Sequence, residues 1–149
     1  MKSFFLSLGS NIDPISNLNS AINYLKNIGI EISCSNFYKS PSEGFEGEDF
    51  INCALGIKSK LDFNDLNKEL KKIENHLKRD RSQPKFSSRT IDIDIILVVV
   101  DDDIQFVSDE LEKYNFVGIP INEIISPNLS DKLSTVSYTH LTLPTTIEV

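Results

Sequence analysis

The sequence has 149 residues, of which 40% are hydrophobic, and a formal net charge of −7. This length and composition are typical of one globular domain with a single core. The negative charge argues against nucleic-acid binding by bulk electrostatics, which needs a basic surface that displaces counterions from phosphates. No apolar run approaches the roughly 20 residues that cross a bilayer, so we expect a cytoplasmic protein that binds neither nucleic acid nor membranes.

The first half of the chain predicts three strands, a helix and a loop. Asn11 or Asp13 is suited to cap a helix that begins at Pro14. Apolar residues at spacings of three and four form one stripe on this helix, and Gly29 ends it. Alternating or apolar runs predict strands at residues 2–8, 30–38 and 50–57. A loop rich in proline and glycine separates the last two.

The second half predicts another amphipathic helix and further strands. The helix begins near Asp62 and ends in a basic segment. The most hydrophobic strand covers residues 91–100, a shorter one covers 104–107, and residues 116–127 suggest the end of a strand and a short helix. The order β-α-β-β-α-β predicts an α+β, ferredoxin-like fold, in which both helices pack on one face of a mostly antiparallel sheet.

The last residues differ from the rest in composition. The stretch TVSYTHLTLPTTIEV contains five threonines and no basic residue, and it resembles translated adaptor sequence more than the end of a natural domain. A natural disordered tail is the alternative. We therefore assign the domain to residues 1–135 and interpret 136–149 as a non-native-looking or disordered tail.

Neither the cysteines nor the histidines suggest a disulfide, a zinc site or a general base. Cys34 and Cys53 lie in alternating segments with no histidine at ligand spacing, and we interpret them as reduced thiols in or near the core. His76 falls on the polar side of the second helix, where a surface position is expected, and His140 lies in the C-terminal tail.

A pair of carboxylates interrupts the most hydrophobic strand. Alternate residues of a strand share one face and lie about 6–7 Å apart, so Asp92 and Asp94 face one way and the isoleucines between and beside them face the other. Two carboxylates in this arrangement can hold divalent cations. An ordinary half-buried strand with a wet polar face would show the same pattern.

A cluster of cations directly precedes these aspartates. Residues 78–89 contain two lysines and three arginines against the single Asp80. Arginine and lysine suit a polyphosphate, and magnesium on the aspartates would take up the remaining phosphate charge. A solvated loop with scattered charge is the alternative, above all for Lys78, which can favour the dipole at the helix C-terminus.

Further motifs occur together with these two features. They are LGSN at 8–11, FYKSPSEG at 37–44, DFINCAL at 49–55, and KIENHLKRDR at 72–81 leading to RTIDIDI at 89–95. From Lys2 to Leu129 the chain resembles the 6-hydroxymethyl-7,8-dihydropterin pyrophosphokinase family of folate biosynthesis, and RTIDIDI is the most specific element of the resemblance.

The resemblance implies a magnesium-dependent diphosphotransferase. Such an enzyme transfers diphosphate from ATP to the hydroxymethyl oxygen of 6-hydroxymethyl-7,8-dihydropterin and releases AMP. Two Mg²⁺ ions are expected at Asp92 and Asp94. ATP and the pterin are the expected small-molecule partners, and we expect the protein to act as a monomer.

The resemblance also assigns roles to matching positions. It implies catalytic roles, through phosphate and metal contacts, for Arg79, Arg89, Asp92 and Asp94. It implies ATP contacts for Lys71, Glu74, Arg81, Lys85, Phe86 and Ile95. It implies pterin contacts for Ser40, Pro41, Phe50, Asn52 and Phe116. A flat heteroaromatic ring requires stacking aromatics and a few fixed hydrogen bonds, which these residue types supply.

Several of these positions have simpler interpretations when the resemblance is left aside. Glu74 would be a solvent-facing helical residue paired with a lysine. Phe50 and Phe116 would be core aromatics, and Asn52 an oddly placed polar residue of a strand. We expect a structural role for Gly9, because the spaced glycines of a dinucleotide fingerprint are absent.

The chain departs from the family pattern at several positions. Val107 and Ser108 stand where the family usually has a Pro-His pair, and Tyr114 stands where it has an arginine, so two expected ATP contacts are lost. Ser88 replaces a proline. These departures leave open a non-catalytic or weakly active nucleotide- or pterin-binding protein on the same fold. A plain ferredoxin-like interaction domain ranks last, because it leaves the paired aspartates without a purpose.

Overall fold

The computed structural model describes residues 1–40, 49–77 and 91–137. Within them the chain forms an open antiparallel sheet with helices packed on it. The strands are β1 (Lys2–Ser10), β2 (Ile30–Cys34), β3 (Tyr38–Ser40), β4 (Phe50–Ser59), β5 (Asp92–Val100) and β6 (Asp103–Val107). The helices are α1 (Pro14–Ile28), α2 (Phe63–His76), α3 (Glu110–Lys113), α4 (Asn115–Ile124) and α5 (Pro127–Ser137).

The sheet has β1 at its centre. The strand order is β2-β4-β1-β5-β6, all neighbours are antiparallel, and the short β3 also pairs with β4. The path β1-α1-β2-β4-α2-β5 puts β4 and β5 on either side of β1, which is the order of a ferredoxin-like fold. The predicted α+β, ferredoxin-like architecture is confirmed.

Helices α1 and α2 cover one face of the sheet, as predicted. Asp62 caps α2 by accepting the backbone N–H of Asp65 at 2.8 Å. Each leucine buried on this face contributes about 1.5–3 kcal/mol. The main members of this first core are Leu18, Leu25, Leu66 and Leu70 from the helices, Leu6, Leu8, Ile93 and Ile95 from the sheet, and Ile91 just before β5.

The C-terminal helices cover part of the opposite face. Val117 and Ile121 of α4 and Leu129 and Leu133 of α5 pack on a second apolar cluster. A β-bulge in β5 builds this cluster, since Phe5 pairs with Leu97 while Leu6 pairs with Ile95, which leaves Ile96 as the extra residue. Ile96 and Leu97 therefore both join the second cluster.

The prediction of one continuous strand at residues 30–38 is wrong. The structure has two short strands, β2 and β3, because the ladder is interrupted at Ser35. The Ser35 hydroxyl accepts the backbone N–H of Ala54 at 2.8 Å, in place of a backbone carbonyl. This bond separates the edge segment that starts at Ile30 from the segment that leads to Ser40.

Two further expectations need correction. No strand ends within residues 116–127, but the short helix predicted there is present as α4, which begins at Asn115 and contains Pro120. Cys34 is exposed and does not join the core, whereas Cys53 is buried, and both are free thiols. His76 is exposed, as predicted, and lies edge-on against Tyr24.

The C-terminal boundary stays a prediction. Helix α5 continues to Ser137, two residues past the predicted domain end at 135, and residues 138–149 lie outside the described residues. In the part of the chain that the structure describes, no helix has the length and apolar character that crossing a membrane requires.

A buried carboxylate joins α2 to β5. Glu74 is 0% exposed and accepts the backbone N–H of Ile93 at 2.8 Å. Among the described residues β6 pairs only with residues 97–100 of β5, so no described strand accepts this N–H and Glu74 takes that role. Lys71 lies 3.5 Å from the same carboxylate. The solvent-facing interpretation of Glu74 is therefore wrong.

Replacing Glu74 with alanine should lower the free energy of unfolding by about 1–3 kcal/mol, because it leaves a buried N–H without an acceptor. Urea unfolding followed by circular dichroism measures the change. Glu69→Ala is the matched control, since Glu69 makes an exposed pair with Lys72 at 2.9 Å and its loss should cost less than about 1 kcal/mol. Equal effects of the two substitutions would contradict the role of Glu74.

Candidate active site

Four strands place one row of residues side by side on the face that carries α4. Tyr38 of β3 pairs with Asn52 of β4, Asn52 pairs with Gly9 of β1, and Gly9 pairs with Asp92 of β5. Cross-strand partners project from the same face of a sheet. Asn52 and Asp92 therefore flank Gly9, beyond the point where the second apolar cluster ends.

Gly9 leaves the space that the Asn52 side chain occupies. A Cβ atom at Gly9 would lie 2.8 Å from Oδ1 of Asn52. The Asn52 amide donates to the hydroxyl of Ser40 at 2.7 Å, and the two side chains are only 4% and 5% exposed. The row thus contains a buried and oriented amide, and a structural role for Gly9 is supported.

The two aspartates share the face that the sequence predicts. Asp92 and Asp94 are half-buried, whereas Ile91, Ile93 and Ile95 point into the first core. Asp94 pairs across the sheet with Ser7, one step along the strands from the row of Gly9. Ile95 is thus a core residue in the structure, and its predicted ATP contact stays a prediction.

Burial and negative charge act together on Asp94. Burial, and then the charge of Asp92 and of Glu110, raise the pKa of Asp94 to about 7, while Lys71 acts in the opposite direction. The pKa of Glu110 is also raised, first by burial and then by Asp92. The site therefore concentrates negative charge where water is partly excluded.

Glu110 is a residue that the sequence analysis missed. It is the first residue of α3, two positions after Ser108. The Ser108 hydroxyl accepts the backbone N–H of Glu110 at 3.2 Å, and the Ser108 backbone N–H donates to the carbonyl of Ile96 at 2.8 Å. Ser108 thus shapes the turn that brings Glu110 toward the aspartates, a proximity that no local pattern in the sequence indicates.

Aromatic side chains lie at the edges of this region. Phe116 is half-buried in the first turn of α4 and stacks on Tyr114, with ring centroids 4.9 Å apart and 20° between the planes. The ammonium of Lys113 lies 5.2 Å from the Tyr114 centroid. Phe50 pairs with Ser40, is half-buried and belongs to neither apolar cluster. Its interpretation as a core aromatic is not supported, whereas Phe116 does pack against the second cluster.

Part of the predicted site lies outside the described residues. This applies to Pro41 of the pterin side and to the cationic and aromatic positions Arg79, Arg81, Lys85, Phe86 and Arg89. Three other predicted residues lie elsewhere, Lys71 and Glu74 on α2 and Ile95 in the first core, and their ATP contacts stay predictions. The structure brings the other six predicted residues together as two groups on one face. One group is the carboxylate pair, and the other is Ser40, Phe50 and Asn52, with Phe116 approaching on α4.

The carboxylate pair fits a hard divalent cation. The two carboxylates share one face of β5, and the charge of Glu110 acts on Asp94 as well. Among residues 1–40, 49–77 and 91–137, no group of three or more histidine, cysteine or carboxylate side chains is arranged as a metal site. Two carboxylates are nevertheless sufficient for Mg²⁺, which takes its other ligands from water and substrate phosphates.

Comparison with known proteins identifies the family. A family model described as 7,8-dihydro-6-hydroxymethylpterin-pyrophosphokinase matches residues 5–126. Relatives include the "Folic acid synthesis protein FOL1" of Dictyostelium discoideum, 33% identical over 83% of this chain and 20% of the relative. The "Bifunctional protein FolKE" of Lactococcus lactis is 38% identical over 84% of this chain and 38% of the relative. The "Folate synthesis bifunctional protein" of Arabidopsis thaliana is 25% identical over 91% of this chain and 29% of the relative.

The chain thus spans 20–38% of the length of these relatives. The family match, by contrast, covers both halves of the site, from β1 through the aspartates of β5 to α4. The chain belongs to the 7,8-dihydro-6-hydroxymethylpterin-pyrophosphokinase family.

Proposed function

We propose that this chain transfers a diphosphoryl group from ATP to 6-hydroxymethyl-7,8-dihydropterin and releases AMP, as a step of folate biosynthesis. One observation carries the proposal. Asp92, one of a carboxylate pair suited to a metal–phosphate group, and Asn52, whose buried amide is suited to a heterocycle, flank Gly9 on three adjacent strands. The two reactants therefore have binding surfaces side by side, which is what a group transfer between them requires.

The pterin half is supported by fixed hydrogen-bonding groups between aromatic rings. The bond from Asn52 to Ser40 holds the amide in one orientation, so the groups that read the edge of a flat heterocycle are set before it binds. Phe50 and Phe116 supply the stacking faces in this proposal. Pro41, outside the described residues, is proposed to complete the pterin side.

The nucleotide half rests on Asp92 and Asp94. Mg²⁺ bound there, two ions in our proposal, would neutralise triphosphate charge and orient the phosphates for in-line displacement. The proposed phosphate contacts from Arg79, Arg81, Lys85 and Arg89 would add cationic charge, and Phe86 would pack over the nucleotide. Lys71, whose ammonium lies beside Glu74, is proposed to contact ATP from the α2 side.

The reaction balances without a covalent intermediate on the protein. The hydroxymethyl oxygen forms a bond to the β-phosphorus, and the bond from that phosphorus to the α,β-bridging oxygen breaks. AMP leaves with this bridging oxygen, and the hydroxyl proton passes to solvent. The protein contributes alignment and charge neutralisation, which dominate catalysis of phosphoryl transfer. The expected cytoplasmic location and monomeric state stay predictions.

The first test is the identity of the product. Incubation of the protein with ATP, Mg²⁺ and 6-hydroxymethyl-7,8-dihydropterin should release AMP, one for each pterin diphosphate formed, as followed by anion-exchange chromatography. ADP as the nucleotide product, or pterin binding without turnover, would contradict the proposal. The second result would instead favour the non-catalytic binding protein.

Replacing Asp94 with alanine should reduce kcat by more than about 100-fold, because it removes half of the carboxylate pair that holds charge against the reacting phosphates. The loss is measured in the same AMP assay, with circular dichroism to check the fold. Asp103→Ala is the control: Asp103 is an exposed aspartate at the start of β6, and activity should be unchanged. An active Asp94 variant would refute the metal-binding role.

The stability of the metal-free protein should fall as the pH rises from 5 to 8. The pKa of Asp94 is raised from 3.8 to about 7, so the folded state favours the protonated carboxyl, and this contribution is lost as the pH passes through about 7. Asp94→Asn removes this loss. Thermal melts in EDTA at pH 5 and pH 8, of the wild type and of Asp94→Asn, measure the change in stability with pH. Melts of the wild type in Mg²⁺ without EDTA should show a smaller loss of stability at pH 8. Parallel pH profiles of the two proteins would contradict the assignment.

A further inference from the structure

A carboxylate on α4 bonds the segment that joins β2 to β3. Oε2 of Glu123 accepts the backbone N–H of Asn36 at 2.8 Å, and Oε1 accepts the hydroxyl of Tyr38. Glu123 lies 87 and 85 residues from these partners, so the bonds join distant parts of the chain. A third bond lies beside them, from the hydroxyl of Ser33 to the carbonyl of Ile124 at 3.4 Å.

The segment that Glu123 holds leads directly to the pterin side of the site. Tyr38 is the cross-strand partner of Asn52, and two residues later Ser40 accepts the hydrogen bond of the Asn52 amide. A shift of β3 would therefore move the Ser40 hydroxyl away from the amide that it orients. The carboxylate of Glu123 therefore ties Tyr38 of β3 to α4, in addition to the pairing of β3 with β4.

The helix that carries Glu123 also carries Phe116. These residues are seven positions apart in α4, which is close to two full turns and puts them on the same face of the helix. Glu123 thus connects the element that bears the stacking aromatic to the strand that bears the hydrogen-bonding groups. The distance between Phe116 and the groups of Ser40 and Asn52 depends on how α4 packs against β3.

We propose that Glu123 is a positioning residue for the pterin, which sets the slot between Phe116 and the pair of Ser40 and Asn52. This inference rests on the proposed function and adds to it a residue that contacts neither the nucleotide nor the reacting atoms. Its effect is carried through Tyr38 and the backbone of Asn36.

The role in positioning is separable from a role in stability. Glu123 is exposed, and α4 is already anchored by the buried Val117 and Ile121. A hydrogen bond to a charged group contributes about 1.5–3 kcal/mol to folding, and solvent screening lowers this contribution at an exposed carboxylate. The bond from Tyr38 to Glu123 also fixes the position of β3, which carries Ser40. A small displacement of β3 would weaken several contacts to the pterin at once. Loss of the carboxylate should therefore affect pterin affinity more than folding.

The experiment compares Glu123→Ala, Glu123→Gln and Tyr38→Phe with the wild type. Glu123→Ala should raise KM and the calorimetric Kd for the pterin about three- to tenfold, with kcat and the KM for ATP within about twofold. Glu123→Gln should have a smaller effect, because its carbonyl oxygen can still accept the Tyr38 hydroxyl. Combining Glu123→Ala with Tyr38→Phe should raise KM no further than Glu123→Ala alone, because both remove the same bond.

Asn122→Ala is the matched control. Asn122 is the exposed neighbour of Glu123 on α4, and its amide donates within the helix to the carbonyl of Gly118 at 2.8 Å. This variant should leave the KM for the pterin unchanged. Thermal melts of all variants separate a loss of folding from a loss of affinity, and Glu123→Gln and Tyr38→Phe decide the question if Glu123→Ala does not fold.

The outcomes distinguish this inference from the proposed function. A wild-type protein that releases no AMP overturns the proposed function. An active wild-type protein whose Glu123 and Tyr38 variants keep the wild-type KM and Kd for the pterin overturns the inference alone. A lower melting temperature with an unchanged KM assigns Glu123 to folding and also overturns it.

Discussion

The site depends on the central position of β1. Only a strand with partners on both sides brings residues from β4 and β5 into one row, and here the shared residue is Gly9. Antiparallel pairing fixes the register on both sides, so Asn52 and Asp92 cannot move apart without breaking a ladder. A glycine at the shared position keeps the row open, because any Cβ would collide with the Asn52 side chain.

Electrostatics divides the site into two unlike halves. The amide side is neutral and has its hydrogen bond in place, so its order does not depend on pH or on ions. The carboxylate side combines burial with like charge at Asp92, Asp94 and Glu110. A cation bound on this side would reduce the repulsion among the carboxylates, whereas the amide side has no like charges to neutralise. Ion binding therefore couples to the protonation of one half only.

The sequence predicts local features of the fold well. Period-two alternation places Asp92 and Asp94 opposite the isoleucines, and the apolar stripes of α1 and α2 assign both helices to one face. These features depend on neighbours in sequence. The break at Ser35 is different, because it depends on a side chain that replaces a backbone acceptor for the distant Ala54.

Functional residues that act over long sequence distances were harder to predict. The sequence pattern predicts a surface position for Glu74. Its buried position depends on β5, because among the described residues β6 pairs only with residues 97–100 and the N–H of Ile93 donates to Glu74 instead. Glu110 and Glu123 carry no motif, because their roles arise from the packing of α3 and α4. The family resemblance predicts which residues form the two proposed binding surfaces, whereas the residues that hold these segments in place follow only from the three-dimensional contacts.

The β-bulge in β5 sets the phase between two functions of a single strand. On the N-terminal side of Ile96 the face toward α4 bears carboxylates, and on the C-terminal side the same face bears the apolar anchor of α4 and α5. Asp94 and Leu97 are an odd number of residues apart, so they share a face only because the bulge places one extra residue, Ile96, between their pairings with Ser7 and Phe5. Removal of Ile96 would restore regular alternation and leave the aspartates and the apolar anchor on the same face. The bulge therefore adds apolar area to the second cluster at a point where the strand can lose one residue without inverting either half.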